Sequence, residues 1–132
     1  MDAAVRAGAD AVYFGLDSGL NARARATSFS RSELPTIMDE LHTAGVRGYL
    51  ALNTLVFDEE LAKTERVVAE AAEAGVDALI VQDIGLTRLV RSVAPHLPLH
   101  ASTQMSITDA AGAAFAQGLG CRRVVVGREL SI

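Results

Sequence analysis

Tryptophan is absent from these 132 residues, and other chemically informative residues are scarce: 1 Cys, 2 Tyr and 3 Pro stand against 11 Gly. So few large aromatics exclude a platform on which successive nucleic-acid bases stack. The lone thiol, Cys121, cannot form an intramolecular disulfide. Nor can it alone hold zinc or an iron–sulfur cluster, which take several thiolate or imidazole ligands. Lys63 is the one lysine and falls on a predicted helix, which disfavours Schiff-base chemistry. No apolar run reaches the ~18 to 20 residues needed to span a bilayer. The start Met1-Asp2-Ala3-Ala4 lacks the basic and apolar parts of a secretory signal, so a cytoplasmic protein with no membrane partner is expected. A net charge of -4 gives no general attraction for nucleic acid or anionic lipid, so any polyanion must meet a local patch. Walker and dinucleotide glycine patterns are missing, and Gly15-x-x-x-Gly19 alone is weak.

What is present is a core and a repeat. Half the residues are hydrophobic, which argues for one folded domain rather than disorder. Ala7-Gly8-Ala9-Asp10, Ala44-Gly45-Val46-Arg47, Ala74-Gly75-Val76-Asp77 and Gly118-Leu119-Gly120-Cys121 each read as a glycine-punctuated helix end followed at once by a strand. Their spacing suits one βα unit each, hence parallel strands joined by crossover helices. Strands are predicted over Ala11 to Leu16, Gly48 to Thr54, Ala78 to Gln82, Leu99 to Gln104 and Arg123 to Arg128. Helical stripes run through Leu34, Ile37, Met38 and Leu41; through Leu61, Val68, Ala71 and Ala72; and through Leu86, Leu89, Val90 and Val93. Ser32 is the expected cap of the second helix, because it puts Pro35 in the first turn, and Asp58 that of the third. The fold class expected is α/β, an open sheet of about five parallel strands. A complete eight-stranded barrel takes about 250 residues, so this is a partial TIM-like barrel and a fragment, completed by a further segment or partner chain.

In parallel α/β folds ligands bind where the βα loops collect, at the carboxyl ends of the strands. Those ends are polar here: Asp17, Asn53, Gln82 and Asp83, then His100, Ser102 and Gln104, then Arg128 and Glu129. The opposite ends carry Asp10, Arg47, Asp77, Pro98 and Arg122, an ordinary solvated set, and Cys121 beside them is structural. In an extended chain His100, Ser102 and Gln104 share one side. Asp83, His100 and Glu129 are the acid/base candidates. Arg23 and Arg25, with Arg31, form a basic loop able to meet phosphate or carboxylate groups, and Phe29 can anchor it. Asn53, Gln82, Ser102, Gln104 and Arg128 complete the substrate-binding set. Each has a plainer reading: Asp83 a helix cap, Arg128 and Glu129 an exposed ion pair, His100 a core histidine. A His100/Ser102 hydrolase pair is weakened by the about 7 Å between residues two apart on a strand, and no Gly-x-Ser-x-Gly elbow is present.

The runs AGADAVYFGL, NARARATSF, GVDALIVQDIGL, LHASTQMSIT and RRVVVGRELS together resemble the N-terminal barrel region of the collagenase-like peptidase family U32, over nearly the whole chain. The combination of VQD, HASTQM and GRELS is specific. Ser28 departs from the Asn usual before the Phe, and Ile132 from the usual Leu. The resemblance implies a pocket of Asn53, Gln82, Asp83, His100, Ser102, Gln104, Arg128 and Glu129. It also implies either peptidase activity or a part in hydroxylating RNA bases or the ubiquinone ring. Hydroxylating relatives carry an iron–sulfur cluster on cysteines after the RELS segment, so a cluster is expected only from residues downstream of Ile132, with no metal site in this chain. The expected substrate is a peptide or an RNA. The alternatives are a catalytically silent scaffold that needs its missing C-terminal segment or a partner, and a barrel lyase for a small acid.

Overall fold

A computed structural model describes residues 1–20 and 29–130. Five helices and five strands alternate: α1 (Asp2–Arg6), β1 (Ala11–Phe14), α2 (Leu34–Thr43), β2 (Arg47–Leu52), α3 (Leu61–Glu73), β3 (Ala78–Val81), α4 (Ile84–Val93), β4 (Leu99–Ala101), α5 (Ala110–Gly118) and β5 (Cys121–Val124). All four strand pairings are parallel, and the sheet order is β1-β2-β3-β4-β5. That order decides the architecture. Parallel crossovers are right-handed, so a sheet wound in one direction collects its helices on a single face, as in a barrel. β1 and β5 are not paired with each other, so the sheet is open, as the strand count predicts.

Alternation along the strands divides the two faces. Phe14, Leu50, Leu79 and Leu99 are register partners, as are Leu52, Val81 and Ala101, and all are buried in the core. They meet Leu34, Ile37, Met38 and Leu41 of α2, Val67, Val68 and Ala71 of α3, and Leu86 and Val90 of α4. The other parity, Tyr13–Tyr49–Ala78 and Ala51–Ile80–His100–Arg123, lies on the helix-free face.

The glycine punctuation works as expected. Gly45 and Gly75 take φ of +72° and +75°, a region that costs a residue with a Cβ. The chain then folds back so that Val46 N–H donates to Leu41 C=O at 2.9 Å and Val76 N–H to Ala71 C=O at 3.0 Å.

Local chemistry shifts several boundaries. β4 ends at Ala101, not Gln104, because the Ser102 side chain accepts the Gln104 N–H at 3.2 Å and starts a 3-10 turn over Thr103–Met105. β5 starts at Cys121 and ends at Val124, short of Arg128. Ser30, not Ser32, caps the second helical segment: its N–H donates to Glu33 Oε2 at 2.7 Å across a 3-10 turn, Arg31–Glu33. The intervening turn delays the α-helix to Leu34, so Pro35 still sits in its first turn. Asp58 lies inside the 3-10 turn Asp58–Glu60, where Glu60, not Asp58, accepts the Phe57 N–H at 3.0 Å. On α3 the buried stripe is Thr64, Val67, Val68 and Ala71, while Leu61 is exposed. α5 carries no apolar stripe in its alanine-rich run; Asp109 caps it by accepting the Gly112 N–H at 2.7 Å.

Candidate active site

The site is built at the carboxyl side of the helix-free face. Asn53 follows β2, Gln82 follows β3 and Ser102 follows β4, each one residue past the register row Leu52–Val81–Ala101. Asn53 Nδ2 donates to Ser102 Oγ at 3.4 Å, which draws the ends of β2 and β4 together across β3. Gln82 is half-buried between them in the strand order. Asn53, Gln82 and Ser102 therefore form one polar row across the ends of three strands.

Two residues toward the amino ends, on the same face, lies the row Ala51, Ile80, His100 and Arg123. His100 is 8% exposed and its ring meets that of Tyr49 edge-on, centroids 4.8 Å apart at 80°. Arg123 covers the same tyrosine, with Cζ 5.8 Å from the ring centroid, within cation–π range. Burial, then the positive charges of Arg123 and Arg47, holds the imidazole below its ordinary pKa of 6.5, so His100 is neutral at pH 7. A neutral imidazole can accept a proton; it is not a standing acid.

The other expected residues have partners or positions of their own. Asp83 Oδ1 accepts the Leu86 N–H at 2.7 Å and Oδ2 the Val56 N–H at 3.4 Å, so the carboxylate caps α4 and holds the β2–α3 loop. Gln104 is exposed on the 3-10 turn and leaves the line of His100 and Ser102. Arg128 and Glu129 are exposed beyond the end of β5, and among the described residues the carboxylate contacts within ion-pair distance are Arg31–Glu70 and His42–Asp77, not this pair. Arg31 is committed to Glu70, with Nε 2.9 Å from Oε2, which ties the turn before α2 to α3 and removes this arginine from the substrate set. Arg23 and Arg25 lie outside the described residues. Phe29 beyond them is itself held in place. Phe29 bridges Leu16, its N–H donates to Gly15 C=O at 3.2 Å, and its ring packs edge-on against Phe14 with centroids 6.0 Å apart. Lys63 sits on α3 and donates to Ser18 C=O at 2.6 Å.

Tyr49, Arg47 and Arg123 are the residues that reading along the chain misses. Their signal is two-dimensional: Tyr49, Ala51 and Asn53 share a parity on β2, and Arg123 joins His100 only through the β4–β5 register.

Residues 1–132 match Peptidase family U32 throughout. The chain belongs to that family. It is 37% identical to the 23S rRNA 5-hydroxycytidine C2501 synthase of Escherichia coli K12 over 129 residues, 98% of this chain and 19% of that protein. It is 36% identical over 131 residues to a collagenase of Porphyromonas gingivalis, covering 98% of this chain and 31% of that one. Over 125 residues it is 36% identical to the tRNA hydroxylation protein P of Escherichia coli K12, covering 95% and 27%. The chain thus spans 19 to 31% of the length of these curated relatives. A solved U32 peptidase superposes with a TM-score of 0.74 at 18% identity, over 90% of this chain and 51% of that one, which shows the shared fold.

The described residues offer no ligand set for the iron–sulfur cluster expected from cysteines downstream of Ile132. Cys121 is buried at the amino end of β5, away from the polar row, and burial raises its thiol pKa. Among the described residues no group of three or more His, Cys, Asp and Glu side chains is placed to hold a metal. No helix among them is long and apolar enough to cross a membrane.

Proposed function

We propose that this chain is the substrate-binding portion of a U32 enzyme that takes part in hydroxylating an RNA base in the cytoplasm. His100 is the proton acceptor, and Asn53, Gln82 and Ser102 are the wall that orients the substrate. The observation that carries this reading is the buried, neutral imidazole two residues below the Asn53–Ser102 hydrogen bond, on the face that the helices leave open. Relatives named for rRNA and tRNA hydroxylation at 36–37% identity support the substrate class. A serine-peptidase mechanism finds less support. Ser102 Oγ is bonded to Asn53 and to the Gln104 N–H, not to His100, so no activated hydroxyl nucleophile is assembled. Asp83 serves as the cap that fixes α4 beside the site. Arg23 and Arg25 meet substrate phosphates, and the ligands of any iron–sulfur cluster come from outside residues 1–132.

The test is nucleoside mass spectrometry on rRNA and tRNA from cells lacking the full-length protein, complemented with wild type or His100→Gln. The expected result is the disappearance of one singly oxygenated nucleoside, restored by wild type and not by His100→Gln. Unchanged RNA, together with peptide hydrolysis by the purified protein that needs His100, would reverse the reading.

A further inference from the structure

Arg123 belongs to neither the polar row nor the basic loop, yet it is the charged residue brought closest to the site by sheet register. It is exposed on an edge strand, where the ordinary reading is a solvated cation guarding the edge. Three facts say otherwise. It is the register partner of His100. Its guanidinium lies over Tyr49, three strands away, rather than pointing into solvent. The ring it covers is the one that packs edge-on against His100.

We propose that Arg123 is a positioning residue for His100, clamping the Tyr49–His100 ring pair from the β5 side and setting a fixed positive charge beside the imidazole. This rests on His100 being the proton acceptor. The clamp has two effects of different origin. The planar guanidinium on the tyrosine face restricts the tilt of Tyr49, and through the edge-on contact the orientation of the imidazole. Its charge opposes protonation of His100 and adds to the penalty of burial, so the ring stays ready to accept a proton at neutral pH. The charged groups acting on His100 are Arg123 from β5 and Arg47 from β2, while Tyr49 packs on its ring and Ile80 and Arg123 are its register partners. Arg47 starts its strand, level with Ala11 and two residues before Tyr49, so its influence is the weaker of the two cations.

The experiment is an NMR pH titration of the histidine ring protons in the full-length protein, with His100 assigned by the loss of its signal in His100→Gln. Arg123→Gln is expected to raise the His100 midpoint by about 0.5–1 unit, less than the 1–3 units of a close buried charge because this guanidinium is exposed. Arg123→Lys keeps the charge, so the midpoint returns toward wild type while the ring contacts to Tyr49 weaken. Arg47→Gln moves it less than Arg123→Gln. An unmoved midpoint in Arg123→Gln, or a larger shift in Arg47→Gln, overturns the proposal. The pH profile of kcat/KM then separates it from the functional reading. A base with a raised pKa moves the acid limb upward by the same interval, whereas a moved midpoint with an unmoved limb rejects His100 as the base and leaves the clamp in place.

Discussion

Gly48 is where the packing of β2 against α2 can be tested most directly. It faces the helix layer at the second position of β2, and a Cβ built there would lie 2.6 Å from Met38 Sδ, 2.8 Å from Met38 Cε and 3.0 Å from Leu41 Cδ1. Ordinary carbon contacts sit near 3.5–4.0 Å, so Gly48→Ala must push Met38 aside, and Met38 is fully buried. Overpacking of this kind costs about 1–3 kcal/mol. Against it stands the gain of about 0.5–1 kcal/mol from replacing glycine inside a strand. The net expectation is a loss of about 1–2 kcal/mol, read as a lower urea midpoint with unchanged slope. Met38→Ala alone opens a cavity and costs about 2–5 kcal/mol. In the Gly48→Ala background the new methyl enters that space, so the second change costs at least about 1 kcal/mol less than it does alone. A Gly48→Ala protein as stable as wild type, or two changes that add within about 0.5 kcal/mol, would refute the clash.

Three further outcomes follow from the same geometry. Asp83→Asn keeps a capping acceptor, so stability and activity should both survive, while Asp83→Ala loses about 0.5–2 kcal/mol in thermal or urea unfolding; an inactive but equally stable Asp83→Asn would return this carboxylate to the chemistry. Bonding to Ser30 holds the Glu33 carboxyl below its ordinary pKa, so its contribution is present at neutral pH and is lost as pH falls through the lowered folded-state value. Glu33→Gln should flatten that acid dependence, and Ser30→Ala, which keeps the backbone N–H that is the larger cause, only part of it; a pH profile unchanged by Glu33→Gln would remove the capping box as its source. Cys121, buried and with its thiol pKa raised, should react slowly with a thiol reagent at pH 7 in the native state and quickly in denaturant, where equal rates would contradict its burial.

How far the chain could be read depends on the range of the interaction concerned. The βα rhythm was legible because glycine at Gly45 and Gly75 answers a local backbone demand, and the stripe Leu34, Ile37, Met38, Leu41 answers the helix period. Strand ends were less legible. A hydroxyl competing for the backbone, as at Ser102, stops β4 three residues early, and no periodicity signals that competition. Helix α5 lacks the stripe that marks the others, since its alanines and glycines give little contrast between faces. At the site, Asn53, Gln82, Ser102 and His100 were legible as ends of predicted strands. Asp83 carried two meanings, and only the distances to Leu86 and Val56 N–H choose between them. Arg123 was not legible, because its role is set by register.

That register turns on a single irregularity. Leu99 pairs with Cys121, yet His100 pairs with Arg123, so Arg122 is the extra residue of a bulge between β4 and β5. In an unbroken ladder Arg122 would stand level with His100 and Arg123 would point to the helix side, because successive residues alternate faces. The bulge therefore selects which of two adjacent arginines reaches Tyr49. It also keeps Cys121 buried one step earlier, so β5 meets the core at one end and the site at the other. Bulges are common where a strand must re-aim a side chain. Here the re-aimed side chain faces the one buried imidazole of the open face, which is why two arginines in sequence need not be equivalent in function.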